Sequence, residues 1–331
     1  MSGQYYPHQP VYDVGPPAPG LMIAAPNTDD LPPEKITLVE SLKAGGYKTG
    51  FIGKWHIGKS PANGPTEQGF DLNIGGYEAL SPRWQGGYFE PNNNKLIDDA
   101  EDGEYLTDYL TRKAVNFIEE NQKEPFYLHL CYYSVHVPLQ APEDREEKFR
   151  QKQGTGGHDN PTYAAMLESL DTGVGRIMDT LERLNLDENT ILVFYSDNGG
   201  YGGYSSVGMF DQKKDVTDPA PLRNGKNSFY EGGIRVPLMV RWPGVVKPGT
   251  QCDEPVIHVD LYPTLLDAVQ LERPDDYLLD GVSILPSLKN PKTSLKRDAI
   301  YWHFPGYTFV RFEGGPQSVM RSGPWKLIKR Y

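Results

Sequence analysis

The sequence is poor in cysteine: 331 residues carry only Cys131 and Cys252. Two cysteines cannot make a disulfide framework or a cysteine-based zinc site. Cys131 falls inside the apolar run FYLHLCYY and reads as a small buried hydrophobe. The sequence also lacks any apolar run of 18 residues, so no transmembrane helix is expected. Residues 1–25 hold neither a basic n-region nor an unbroken apolar h-region, so no signal peptide is read there. No Asn-x-Ser/Thr acceptor occurs outside Asn160-Pro161-Thr162. Basic residues are in deficit as well. Lys and Arg number 33 against 44 Asp and Glu, a net charge of −11, which argues against a nucleic-acid binder but leaves room for a local pocket for one small anion.

What is present reads as a turn-rich globular chain. Gly and Pro, 35 and 29 in number, make up about a fifth of it, above the usual level and below the disordered range. Helices are predicted over 34–44, 104–121, 161–184 and 259–269, from apolar spacing and flanking Gly or Asn. Strands are predicted at 47–55, 126–133, 190–196 and 234–242, the last interrupted by Pro237. Strands alternating with long helices imply an α/β sandwich around a mainly parallel sheet. From about 285 onward, YWHF and PWKLI suggest a smaller antiparallel unit. The expected division is a main domain at 1–284 and the start of a second at 285–331.

Four segments invite a chemical reading. In GKWHIG, Lys54 and His56 stand two apart, so an extended backbone would put both on one face, with Trp55 turned away. An ammonium beside an imidazole suits sulfate or phosphate, though a solvated pair fits the spacing equally. In SVHVP, His136 follows an apolar strand, where open α/β sheets place ligand-binding groups, and where a plain turn histidine would also sit. His129, within that strand, reads as a packed sheet residue. In SDNGG, Asp197 and Asn198 offer hard oxygens for a cation, or an ordinary Asx turn. Two such oxygens leave a Ca²⁺ shell of 6–8 ligands incomplete. Lys226 sits in RNGKNSFYEGG, and alone would be a surface charge.

Together, in this order, the segments resemble the sulfatase family. GGYKTGFIGKWHIG is similar to that family's second signature, and SVHVP, SDNGG and GKNSFYEGGIRVPLMVRWPG follow at its approximate spacing. The resemblance implies an alkaline-phosphatase-like α/β/α sandwich with a small partial C-terminal α+β unit. It implies sulfuric ester hydrolysis with a formylglycine nucleophile and a divalent cation, usually Ca²⁺. Lys54, His56, His136 and Lys226 match the family's catalytic groups, with Lys54, His136 and Lys226 on the sulfate; Asp197 and Asn198 match metal ligands. A formylglycine-generating enzyme is the implied partner, and export the implied fate.

The departures matter. No Cys/Ser-x-Pro-x-Arg nucleophile motif occurs, and Asp29-Asp30, ahead of LPPEK, is not the acidic pair that the family carries after its first strand. The expectation is a chain lacking both ends of such a protein and inactive as written. A phosphoryl-transfer hydrolase of the same superfamily and a non-catalytic binder of sulfated glycans stay open. Trp84, Tyr88, Tyr204 and His303 are expected as sugar contacts on the pocket rim, since aromatic rings suit sugar faces.

Overall fold

The computed structural model describes residues 1–13, 18–58, 61–76, 81–202, 215–307 and 315–331, without the side chains of Pro61 and Trp84. The order of the main elements is α1 (Leu38–Ala44), β1 (Lys48–Gly53), β2 (Leu72–Ile74), α2 (Leu106–Glu120), β3 (Phe126–Cys131), α3 (Glu143–Arg150), α4 (Pro161–Arg183), β4 (Leu192–Tyr195), α5 (Glu231–Ile234), β5 (Leu238–Arg241), α6 (Leu261–Ala268), α7 (Leu285–Lys289), β6 (Ile300–Phe304), β7 (Gln317–Ser322) and β8 (Trp325–Arg330).

Among the described residues β1 is the middle of a parallel sheet ordered β2-β1-β3. Its neighbours on opposite faces show the layers. Ile52 packs into a cluster with Leu106, Tyr109, Leu110, Ala114 and Phe117 of α2. Phe51, one residue earlier, points to the other face and joins Val39 of α1, Trp55 and Phe70. The α2 side chains recur at helical spacing, and each fully buried Leu or Phe contributes about 1.5–3 kcal/mol. Helix α1 begins on a capping box: Thr37 Oγ1 accepts from Glu40 N at 3.1 Å, and Glu40 Oε2 accepts from Thr37 N at 2.7 Å. Its Leu38 and Leu42 meet Tyr262 and Leu266 of α6. Helices therefore cover both faces, the α/β/α arrangement expected.

Two boundaries differ from expectation. Residues 231–234 form the short helix α5, and β5 starts only after Pro237, where it pairs antiparallel with β4. A proline has no N–H for a ladder, and Gly232 and Gly233 are drawn into backbone packing described below. The C-terminal antiparallel sheet, β6-β7-β8, includes β7 (QSVMRS), whose polar alternation gave no strand signal. It is fastened to α6 by a buried pair, Arg297 Nη1 to Asp260 Oδ1 at 2.7 Å, while Asp260 Oδ2 accepts from Ile257 N at 2.8 Å. Among the described residues no helix is long and apolar enough to cross a membrane.

Strands β1 and β3 approach closely at their carboxyl ends. Gly53 has φ +107°, and a Cβ built on it would overlap the Cys131 carbonyl oxygen. Both the conformation and the space require glycine. Gly53→Ala is expected to cost about 3 kcal/mol, read as a lower urea midpoint at unchanged slope.

Candidate active site

The polar groups gather where β1, β3 and β4 end. Lys54 leaves β1 with its N–H donating to Cys131 O at 2.8 Å. Trp55 drives this turn. It is 3% exposed, sits edge-on to Phe51 at 5.0 Å, and its Nε1 donates to Asn63 O at 3.2 Å. The strand stops at Gly53, so the expected two-residue alternation of Lys54 and His56 lies just beyond it; His56 is half-buried on the same segment.

His136 lies beyond β3 in a turn fixed at several points. Its N–H donates to Tyr133 O at 2.9 Å, and its Nδ1 lies 3.2 Å from Ser81 Oγ and 3.0 Å from Val137 O. Ser81 Oγ donates to Val137 O at 2.7 Å. With that proton committed, Ser81 can only accept from Nδ1, and so can the carbonyl. In the neutral ring the proton therefore sits on Nδ1, leaving the lone pair on Nε2.

The loop after β4 and the loop before α5 are locked together by glycines. Gly199 N donates to Gly233 O, Gly232 N to Arg223 O and Lys226 N to Gly200 O, each at 2.9 Å. A Cβ on Gly199 or Gly232 would overlap the carbonyl oxygen of Gly232 or Asn224. Only bare backbone fits here, which sets Lys226 against the Asp197 loop. Asn224 and Asn227, at φ +58° and +66°, turn the chain on either side of Lys226. The C-terminal sheet supports this loop, with Lys326 Nζ 2.8 Å from Glu231 Oε1 and Arg330 Nη2 donating to Tyr230 OH at 2.9 Å.

Electrostatically the structure brings Lys54, His136, Asp197 and Lys226 together. Burial lowers the Lys226 ammonium to about 8, against a raising effect of Asp197 and helped by the charge on Lys54. Burial lowers Lys54 too, opposed by Asp197. His136 falls to about 4, through burial and the two ammonium groups. Asp197 is exposed and Asn198 half-buried, with Asn198 Nδ2 donating to Gly199 O at 2.9 Å. Among the described residues no group of three or more His, Cys, Asp or Glu side chains gathers as a metal site. Asp197 and Asn198 thus fit a cation only as part of a shell. Cys131, half-buried, is pushed up to about 12 by burial, which makes it a poor nucleophile.

The rim residues fare differently. Tyr88 is wholly buried, its hydroxyl 2.8 Å from both the Tyr133 and His136 carbonyls, so it holds the His136 turn and does not meet a sugar. That corrects the expectation: a tyrosine in a loop still turns inward when its hydroxyl finds partners. His303 lies in β6, bonded to Ser318 Oγ at 2.7 Å and stacked on Tyr6 at 5.7 Å. Tyr204 and the Trp84 side chain lie outside the described residues. Ser81 and Tyr201 were not foreseen. Tyr201 carried one weak signal, an aromatic directly after the Gly199-Gly200 pair.

The family described as Sulfatase matches residues 1–271, and the one described as N-sulphoglucosamine sulphohydrolase, C-terminal, matches 224–331. A sulfatase of Formosa agariphila is 30% identical, covering 89% of this chain and 62% of its own length. Mouse arylsulfatase J is also 30% identical, over 90% of this chain and 51% of its own. The chain thus spans between half and two thirds of these relatives. The crystal structure of Ps i-CgsB in complex with k-i-k-neocarrahexaose superimposes with a TM-score of 0.76 at 29% identity, covering 99% of this chain and 71% of that one.

Proposed function

Because this chain belongs to the sulfatase family, we propose that its pocket handles the sulfate group of a sulfated carbohydrate and serves sulfuric ester hydrolysis. The observation that carries the reading is two partly buried ammonium groups and a neutral imidazole around a single carboxylate. Such a cluster is costly unless an anion shares it. The carbohydrate part draws on the relative whose structure holds a neocarrahexaose.

In this reading Lys54 and Lys226 face the sulfate oxygens and offset charge that grows there as the ester bond breaks. Fixed ammonium groups need no reorganisation at that moment, which is where their advantage over water lies. His136 meets the ester oxygen through Nε2. Burial and the two lysines keep it neutral near pH 7, and a bound sulfate, by offsetting those lysines, favours a proton on Nε2 that can pass to the departing alkoxide. His56 belongs beside Lys54 as a donor. The family generally uses a formylglycine nucleophile and a divalent cation. Asp197 and Asn198 would hold that ion, and two hard oxygens suit Ca²⁺, which would supply further positive charge at the sulfate. No Cys/Ser-x-Pro-x-Arg motif occurs in the sequence, so the attacking group is not among these residues. Residues 285–331 are proposed as a smaller unit that braces the Lys226 loop.

The test compares residues 1–331 with a form that also carries a Cys/Ser-x-Pro-x-Arg motif ahead of residue 1, both produced with the formylglycine-generating enzyme. The expected result is release of 4-nitrophenol from its sulfate ester by the second form only. Faster cleavage of 4-nitrophenyl phosphate than of the sulfate would overturn the assignment in favour of phosphoryl transfer.

A further inference from the structure

We infer that Tyr201 is a positioning residue of this site, its ring holding the Lys226 ammonium and bracing the His136 imidazole around one anion. The inference rests on the reading of Lys226 as an anion-binding group. Tyr201 is 5% exposed although it lies in a loop. The Lys226 Nζ stands over its ring, 5.4 Å from the centroid. The His136 ring meets it edge to face, at 6.2 Å and 69°. One buried ring thus touches two of the groups that would share the sulfate, and it comes from the same glycine-locked loop that carries Asp197 and Asn198.

The choice of an aromatic ring has a physical reason. Lys226 ends a long flexible stem, repelled by Lys54 and drawn toward Asp197. A carboxylate partner would hold the ammonium but also cancel its charge, and so compete with the ligand. The negative face of an aromatic ring attracts a cation through its quadrupole and leaves the net charge in place. The ammonium is then held and still available. The edge-to-face contact also limits rotation of the imidazole, whose Nδ1 is already fixed by Ser81 and Val137.

The experiment measures inorganic sulfate binding to the 331-residue chain by calorimetry at pH 7, with circular dichroism confirming that each variant is folded. Tyr201→Leu is expected to weaken binding about three- to thirty-fold, the range of a cation–π contact from exposed to desolvated. Tyr201→Phe keeps the ring and is expected to bind within about twofold of the parent. In a Lys226→Met background, Tyr201→Leu is expected to add less than about twofold, because the ring then has no ammonium to hold. Equal losses from Tyr201→Leu in both backgrounds would show that the ring does not act through Lys226 and would overturn the inference. If Lys226→Met weakens binding while Tyr201→Leu does not, the anion site stands and the role of Tyr201 falls. If Lys226→Met leaves sulfate binding unchanged, the anion site itself is misassigned and the inference falls with it.

Discussion

Replacing Lys226 by methionine is expected to weaken sulfate binding about 100-fold at pH 7. A unit charge about 4 Å from an anion is worth about 4 kcal/mol at an effective dielectric of 20, and the desolvation of the ammonium returns part of it. The parent's own pH profile should show the same charge. Burial holds the Lys226 ammonium at about 8. Below that value the ammonium is present and binding is at its strongest; above it, each pH unit should cost close to tenfold in affinity until the anion-bound form loses its proton too. Lys226→Arg keeps a charge that is not lost below pH 12 and should flatten the profile between 8 and 9.5. Calorimetric titration with sulfate from pH 6.5 to 9.5 decides it. Affinity that holds steady across that range in the parent would mean that Lys226 does not face the anion. Lys54→Met should cost as much at pH 7, yet keep an inflection, shifted to higher pH, because the like charge that depresses Lys226 has been removed.

How much of this was legible beforehand depends on the kind of signal. Helices α2 and α4 announced themselves because their apolar residues recur at helical spacing over many turns, and β1 and β3 because they are apolar runs bounded by turns. Strand β7 did not, since Gln317–Ser322 faces solvent on one side and carries few large apolar residues. The short helix α5 gave no signal and the next strand was expected from Ile234, because what shapes Glu231–Ile234 lies outside it: bare backbone at Gly232 and Gly233 packs on Arg223, Asn224 and Gly199. The site shows the same division. Lys54, His136 and Lys226 were ambiguous one by one, since an isolated Lys or His is usually solvated or a turn residue; only their order and spacing together suggested one pocket. Ser81 and Tyr201 matter through contacts with residues far along the chain, and local pattern holds no record of such contacts. Tyr88 went wrong for the complementary reason. Loop position suggested exposure, whereas the Tyr133 and His136 carbonyls gave its hydroxyl a reason to be buried.

Stability should fall steeply between pH 6.5 and 4.5, ahead of general carboxylate protonation. Three histidines carry the effect, one of them His258, which burial also lowers to about 4. His129 packs against Phe51 and Phe70 with Nδ1 3.0 Å from the Tyr127 hydroxyl, and burial lowers it to about 4. His136 is lowered to about 4 by burial and by Lys226 and Lys54. All three titrate near 6.5 once the chain unfolds. Between those values the unfolded chain binds protons that the folded chain refuses, so the free energy of unfolding rises with pH across the window. The contribution is fully present above about 6.5 and is lost as pH falls toward 4, at up to about 3 kcal/mol for each histidine. Urea unfolding at pH 7.5, 6.5, 5.5 and 4.5 measures the slope. His136→Gln cannot take up the proton and should remove about a third of it, with His129→Gln removing about another third if packing survives. Sulfate separates the two residues further. An anion between Lys54 and Lys226 makes a charged His136 tolerable, so 50 mM sodium sulfate should reduce the acid loss in the parent more than in His136→Gln, at ionic strength matched with chloride. A slope of the same size in the parent and in His136→Gln would mean that the imidazole already carries its proton without added sulfate, and the lone pair assigned to Nε2 would not be there to receive one.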